Sequence, residues 1–345
     1  MLIRASLFFA LSFASPALAQ PPTCHILEYT CPSPPEPYTV RPSLGKGLGV
    51  FARHSLDPGE IILREAPVLT ITPPSVPKGS PYPLADIGRL VAAEYARLSE
   101  KDKHDVLALS LHADPEEWSE DVDVLAFIFR TNAYNTGTSI GLFPKIARIN
   151  HSCRPNAAYY WNEILGKRVI TATRRIDAGE EIFVSFISLL ASREERQRKL
   201  SRYGFTCTCE ACTHAGKQRE VSDQQRLDIG KAFLAFSTQF NLTIPTHPSS
   251  LRKARKNAAA SLKLAEMVQE EGLADYYASA CKIVAISHAR VRDWERASVW
   301  ANKGFELRVR EDERSAATME MWELTRRFVE SWEGELKGMQ EGGGK

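Results

Sequence analysis

The sequence predicts an α+β fold, with a first half of short β-strands interrupted by a helical insertion and a second half that is almost wholly helical. Three observations carry this expectation. First, short apolar runs recur in two blocks, Val50-Phe51, Ile61-Ile62-Leu63 and Val68 to Ile71 in one, Tyr159-Tyr160, Val169 to Ala172 and Ile182-Phe183-Val184 in the other. Tight reversals separate them at Asp57-Pro58-Gly59-Glu60 and Asp177-Ala178-Gly179-Glu180, built from residues that favour turns. Second, helical periodicity replaces the strand pattern between the blocks, from Leu84 to Ser110 and from Asp121 to Arg130, where Asp121 is the expected N-cap and Val124, Leu125, Phe127 and Ile128 form an apolar face. Third, amphipathic stretches near 222–240, 250–271, 274–291, 293–309 and 312–334 follow one another across short breaks that include Gly272 and Asp293. That is the pattern of a helix-hairpin array, and Asp293 to Leu307 resembles one tetratricopeptide-type unit.

Taken along the chain, residues 1–19 read as a secretory signal. Arg4 supplies the basic region, Leu7 to Ala14 the apolar run, and Ala17-Leu18-Ala19 a small-x-small cleavage site before Gln20. The other reading is an N-terminal core helix, although Pro16 interrupts it. Residues 20–37 are a Pro-rich lead-in in which Cys24 and Cys31 form either a small disulfide loop or two free thiols. A strand domain is expected over 38–190 with its helical insertion at 84–130, a cysteine-bearing segment over 191–216, and an all-α domain over 217–345. Within the third of these, Ser192 can cap a helix whose Lys/Arg-rich sequence to Arg202 reads as a solvated face. Cys281, in an apolar helix, reads as a buried core thiol.

Composition narrows the function. With 44 basic and 42 acidic side chains the formal net charge is +2, so no sustained positive field argues for nucleic-acid binding. After the N-terminal run no stretch reaches the roughly 18 consecutive apolar residues of a membrane span, and none is expected in the mature chain.

Three strings of residues carry chemistry. Gly45-Lys46-Gly47-Leu48-Gly49 places glycines at alternate positions, which lets backbone approach a ligand closely, or forms an ordinary Gly-rich turn. Arg148-Ile149-Asn150-His151-Ser152-Cys153-Arg154-Pro155-Asn156 is a dense polar string between apolar segments, fit for a site or for a hydrogen-bonded turn. Cys207-x-Cys209-x-x-Cys212 brings three thiols within reach of one tetrahedral metal ion, with disulfide pairing as the other reading in an oxidising compartment.

The Asn150 to Asn156 string resembles the signature of SET-domain methyltransferases. Gly179-Glu180-Glu181-Ile182 resembles that family's strand-entry turn, and Arg202-Tyr203-Gly204-Phe205-Thr206-Cys207-Thr208-Cys209-Glu210-Ala211-Cys212 its post-SET segment. The resemblance runs from about Tyr38 to Cys212 and points toward SET-and-MYND proteins and their fungal kin, which also carry a helical C-terminal domain, although no MYND cysteine cluster is present. It implies a β-rich SET fold with pseudoknot-like threading, S-adenosylmethionine as cofactor, Zn2+, and a protein or peptide lysine as substrate. It also implies that Lys46, Gly47, Leu48, Asn132, Asn150 and His151 contact the cofactor, that Phe205 stacks on its adenine, and that Cys153 completes a zinc site with Cys207, Cys209 and Cys212. Tyr203 is then placed to line the lysine channel. Most relatives end the strand after Gly-Glu-Glu in a tyrosine regarded as catalytic, and here that position is Phe186. Either Tyr203 or Tyr134 compensates for the missing hydroxyl, or the fold serves as a binding module without turnover. A protein partner for the C-terminal helices fits both versions.

Compartment is read in two ways. The N-terminus points to the secretory route, where Asn150-His151-Ser152 and Asn241-Leu242-Thr243 are glycan acceptors, whereas the family points to nucleus or cytoplasm. A glycan on Asn150 would block the cofactor pocket.

Overall fold

The computed structural model describes residues 35–77, 79, 82–118, 122–238 and 241–342. The signal-like stretch, Cys24, Cys31 and Asp121 lie outside the described residues. Three small sheets build the first half. Strands β1 (Tyr38–Ser43) and β2 (Gly47–Ala52) form an antiparallel hairpin whose turn carries Gly45. β10 (Glu181–Val184) pairs with β2, and the two-residue β7 (Asn150–His151) lies parallel to β10. The second sheet has the order β3 (Ile61–Glu65), β9 (Lys167–Ala172), β8 (Ala157–Asn162), and the third β4 (Leu69–Ile71), β6 (Ser139–Leu142), β5 (Ala133–Thr136). Sequence periodicity missed β5 and β6, because four-residue strands that contain Asn and Gly give no alternation to read.

Among the described residues the insertion holds three α-helices, not two. α1 (Leu84–Ala96) ends before Ser99, whose hydroxyl accepts from the Asp102 amide and starts α2 (Glu100–Leu107) afresh. α3 (Val124–Asn132) is capped by Asp123, which accepts from the Leu125 amide. The expected cap at Asp121 is therefore displaced by two residues; either carboxylate precedes the apolar run, and only the helix's true first turn distinguishes them.

The second half begins with α4 (Arg193–Leu200), capped by Ser192 as expected, and a single turn α5 (Glu210–Thr213) inside the cysteine segment. α6 (Gly216–Ser237), α7 (Pro248–Glu270), α8 (Ala274–Ala289), α9 (Trp294–Asp312) and α10 (Ala316–Gly342) follow. From α7 onward each helix packs on the next in sequence order. α8 is buried on nearly every side, including Cys281, Ile283, Val284 and Ile286, so it lacks the polar face of its neighbours. Burial pushes the Cys281 thiol up to about 12, which keeps it protonated and inert as a core residue. Among the described residues no helix is long and apolar enough to cross a membrane.

One expectation fails inside α4. Arg196 does not join the solvated face: it is 0% exposed, and its guanidinium donates to the Ala191 carbonyl at 2.6 Å and meets Asp223 of α6 at 3.4 Å. The partner that draws it inward lies 27 residues away, beyond the reach of helix-face patterning.

Candidate functional site

The β1–β2 turn, the end of α3, β7 and the segment after β10 converge on a cleft of about 950 Å³. Lys46, Gly47, Leu48, Asn132, Asn150, His151, Phe186, Tyr203 and Phe205 all line it. Residues from five separate stretches of sequence are thus one surface.

Glu181 organises the glycine turn. Its carboxylate accepts from Ser43 Oγ (2.8 Å) and Asn150 Nδ2 (2.8 Å), and Lys46 Nζ stands 3.7 Å away. Asn150 Nδ2 also donates to the Leu48 carbonyl at 3.0 Å, which locks β7 beside the turn. Gly47 has a φ of 72°, in the left-handed region that only glycine enters at low cost. At Gly49 the reason is space, since a Cβ there would collide with Glu181 Oε1 and come within 3.1 Å of Asn150 Nδ2. A Gly49→Ala variant is expected to lose about 1–3 kcal/mol of stability, as overpacked sites do, because Glu181 and Asn150 must shift to admit the methyl group. Thermal unfolding checks it.

Several predicted contacts turn out to be internally engaged. Asn132 Nδ2 donates to the carbonyls of Ser110 (2.6 Å) and Ile128 (2.8 Å), so a ligand meets only its Oδ1. His151 is buried, and desolvation lowers its imidazole to about 4, leaving it neutral at neutral pH. Its Nδ1 accepts from the Phe186 amide at 3.0 Å, so the proton sits on Nε2, 3.4 Å from Cys153 Sγ. The ring is a strut between the cysteine cluster and the aromatic end of the cleft. Phe205 lies 6.2 Å from His151 and 6.4 Å from Phe186 by ring centroids, an open aromatic face on the cleft wall. Leu48 is exposed at the rim.

The sulfurs of Cys153, Cys207, Cys209 and Cys212 lie within 4.8 Å of one another, three of the four residues being buried. All four are free thiols, with Cys153 Sγ and Cys212 Sγ 3.6 Å apart, far beyond a disulfide bond. A tetrahedral ion with bonds of about 2.3 Å sets its sulfurs about 3.8 Å apart, so the set fits a metal ion. Surrounding charge agrees with that fit. Arg196 lies against Cys153 and Cys212, with Nε and Nη2 buried and bonded to no oxygen, and a cation in that position suits the negative charge of a four-thiolate metal centre.

Four aromatic rings line one part of the cleft. Phe186 and Tyr203 have centroids 5.2 Å apart, and Tyr134 and Tyr159 meet edge to face at 5.3 Å. Beyond them a second depression of about 500 Å³ shares Tyr159, Phe186 and Arg202 with the first and is otherwise lined by Ser185, Ile187, Ser188, Lys199, Asp275 and Tyr276. Sequence reasoning missed Tyr159, Glu181 and Arg168, the last a cation buried in β9; its only signal was a charged residue heading an apolar run.

The fold and the cleft define a SET-domain protein. The SET domain family profile matches residues 47–187. Histone-lysine N-methyltransferase set5 of Schizosaccharomyces pombe is 30% identical over 276 residues, 78% of this chain and 77% of that protein. N-lysine methyltransferase SMYD2 of Gallus gallus is 40% identical over 88 residues, 25% of this chain and 20% of that one. Histone-lysine N-methyltransferase ASHR1 of Arabidopsis thaliana is 37% identical over 90 residues, 26% and 18% respectively. The chain belongs to the SET-domain lysine methyltransferase family, with an all-helical C-terminal region.

Proposed function

We propose that the protein is an S-adenosylmethionine-dependent protein-lysine N-methyltransferase. The observation that carries this reading is the pair of adjacent cavities that share Tyr159, Phe186 and Arg202 in their linings, a large cleft on one side and a smaller, more open depression on the other. Such an arrangement lets a lysine side chain reach a methyl donor held on the opposite side.

S-adenosylmethionine supplies a methyl group on a cationic sulfonium and takes back the electron pair of the broken C–S bond as the N–C bond forms. Lys46, Asn132, the Gly47–Leu48 backbone, Asn150 and Phe205 are the residues that would hold it. Alignment is the larger part of such a displacement. Tyr134, Tyr159, Phe186 and Tyr203 desolvate the entering ammonium, whose ordinary pKa is about 10.4, and so favour loss of its proton to solvent before attack. Tyr203 is braced for this work, since its hydroxyl accepts from Arg202 (2.9 Å) and donates to the Phe186 carbonyl (3.4 Å).

The reading extends to zinc at the four cysteines, to a tetratricopeptide-like arrangement of α7–α10, and to a protein partner on those helices; the thiol geometry and the sequential helix packing support the first two. For the compartment, the N-terminal signal supports the secretory route and the family supports nucleus or cytoplasm as the alternative; the engagement of Asn150 Nδ2 with Leu48 and Glu181 speaks only against a glycan at that residue. The test is label transfer from tritiated S-adenosylmethionine to lysines of a histone mixture. Asn150→Ala is expected to lower it about tenfold or more, having lost a hydrogen bond to a charged group that orders the turn. Wild-type protein that binds the cofactor yet labels no lysine would sink the proposal.

A further inference from the structure

Three tyrosines line the cleft, and their hydroxyls are not equivalent. Tyr203 is bonded on both sides, to Arg202 and to the Phe186 carbonyl. Tyr159 donates to the Ser185 carbonyl at 3.2 Å, one residue before Phe186. Tyr134 is different: no described residue hydrogen-bonds to its hydroxyl, although desolvation raises its pKa and keeps it a neutral phenol. A half-buried hydroxyl without a protein partner is costly unless something that enters the cleft supplies one.

What fixes Tyr134 is also unusual. Arg168, 4% exposed, places its guanidinium carbon 4.7 Å from the Tyr134 centroid, 5.0 Å from that of Tyr159 and 5.5 Å from that of Phe143. It donates to the Asn135 carbonyl, its Nε has no partner, and no carboxylate among the described residues pairs with it. The buried cation therefore occupies ring faces that would otherwise take up a substrate ammonium, and it withdraws electron density from the phenol beneath it.

Resting on the methyltransferase reading, we propose that Tyr134 supplies the channel hydroxyl absent at position 186, and that Arg168 is the positioning residue that holds it there. The Tyr134 oxygen accepts an N–H of the neutral lysine amine and directs the nitrogen lone pair along the line of attack. The N–C bond then forms as the C–S bond breaks, the electron pair leaves with sulfur, and the amine's surplus proton has already gone to solvent. Arg168 takes no part in the bond changes.

Label transfer to histones tests this in four variants. Tyr134→Phe is expected to lower kcat about ten- to a hundredfold with little change in peptide KM, and Tyr134→Phe/Phe186→Tyr to return most of it. Arg168→Met should lower kcat in the wild-type background and do almost nothing further in the Tyr134→Phe background, a coupling that a general packing role would not produce. A second readout needs no turnover. Sinefungin carries an amine where the methyl donor carries its methyl, so calorimetry should show wild-type protein favouring it over S-adenosylhomocysteine by about tenfold and Tyr134→Phe losing that preference. Should wild type transfer no label, the methyltransferase reading fails while the sinefungin preference still decides the role of Tyr134. Unchanged kcat in Tyr134→Phe, failure of Phe186→Tyr to restore it, or an undiminished sinefungin preference overturns the proposal.

Discussion

A Cys212→Ser variant is expected to lose its metal altogether, from about one equivalent of zinc per chain in the wild type, and to lose several kcal/mol of stability with it. The size follows from what the sulfur holds in place. Cys153, Cys207 and Cys212 are members of the same buried cluster as Leu189, Leu200, Leu264 and Val284, so the cysteine segment ties the loop after β7 to α4, α7 and α8. A hydroxyl is a poor zinc ligand, and a four-ligand structural zinc contributes on the order of 10–16 kcal/mol in small zinc domains, of which loss of one ligand removes a large share. The effect reaches the cleft through His151, whose Nε2 faces Cys153 Sγ and whose Nδ1 holds the Phe186 amide. Label transfer should fall at least a hundredfold as Phe186, Tyr203 and Phe205 lose their bracing. Metal content by mass spectrometry and the unfolding midpoint are the measurements. Cys281→Ser, a thiol remote from the set, should keep its zinc. Full metal content in Cys212→Ser, or wild-type protein free of zinc with its thiols oxidised, would refute the assignment.

How much of this was legible in the sequence depends on whether the cause of a feature is local. The Gly45–Gly49 turn, the Asn150–Asn156 string and the Cys207–Cys212 spacing are continuous stretches, each with its chemistry written within a few residues, and the structure brings all three together. Their assembly was legible only through family resemblance, because nothing in either string shows that Asn150 will donate to the Leu48 carbonyl 102 residues earlier. Buried charge was not legible at all. Arg196 sits in Arg193-Glu194-Glu195-Arg196-Gln197-Arg198, which any periodicity reads as a solvated face, and only Asp223 and the sulfur cluster explain its burial. Arg168 in β9 hides in the same way, since its aromatic partners come from β5, β8 and the segment after β6.

Removing the carboxylate of Glu271 is expected to cost about 3–5 kcal/mol, because it strands a fully buried cation. Arg226 of α6 is 0% exposed, and its Nε donates to Glu271 Oε2 at 2.8 Å. The same guanidinium donates to the carbonyls of Leu189 (3.3 Å) and Cys153 (3.1 Å), so one side chain joins α6, the segment after β10, the loop that carries Cys153 and the end of α7. Ser222 Oγ completes the carboxylate's shell at 2.8 Å. Glu271→Ala leaves Arg226 with carbonyl oxygens alone to meet its charge, and desolvation already works against that charge. In a chain of this size the loss corresponds to a fall of about 4–7 °C in the unfolding midpoint. Salt should not mimic the effect, because a pair this deeply buried is poorly screened. Replacing both residues with methionine removes the stranded charge together with its partner, and the double variant should be more stable than Glu271→Ala even though it has lost more hydrogen bonds. A Glu271→Ala protein that melts within a degree or two of wild type would show that water or a rearranged Arg226 satisfies the guanidinium, and the junction between the strand domain and the helices would then not depend on this buried pair.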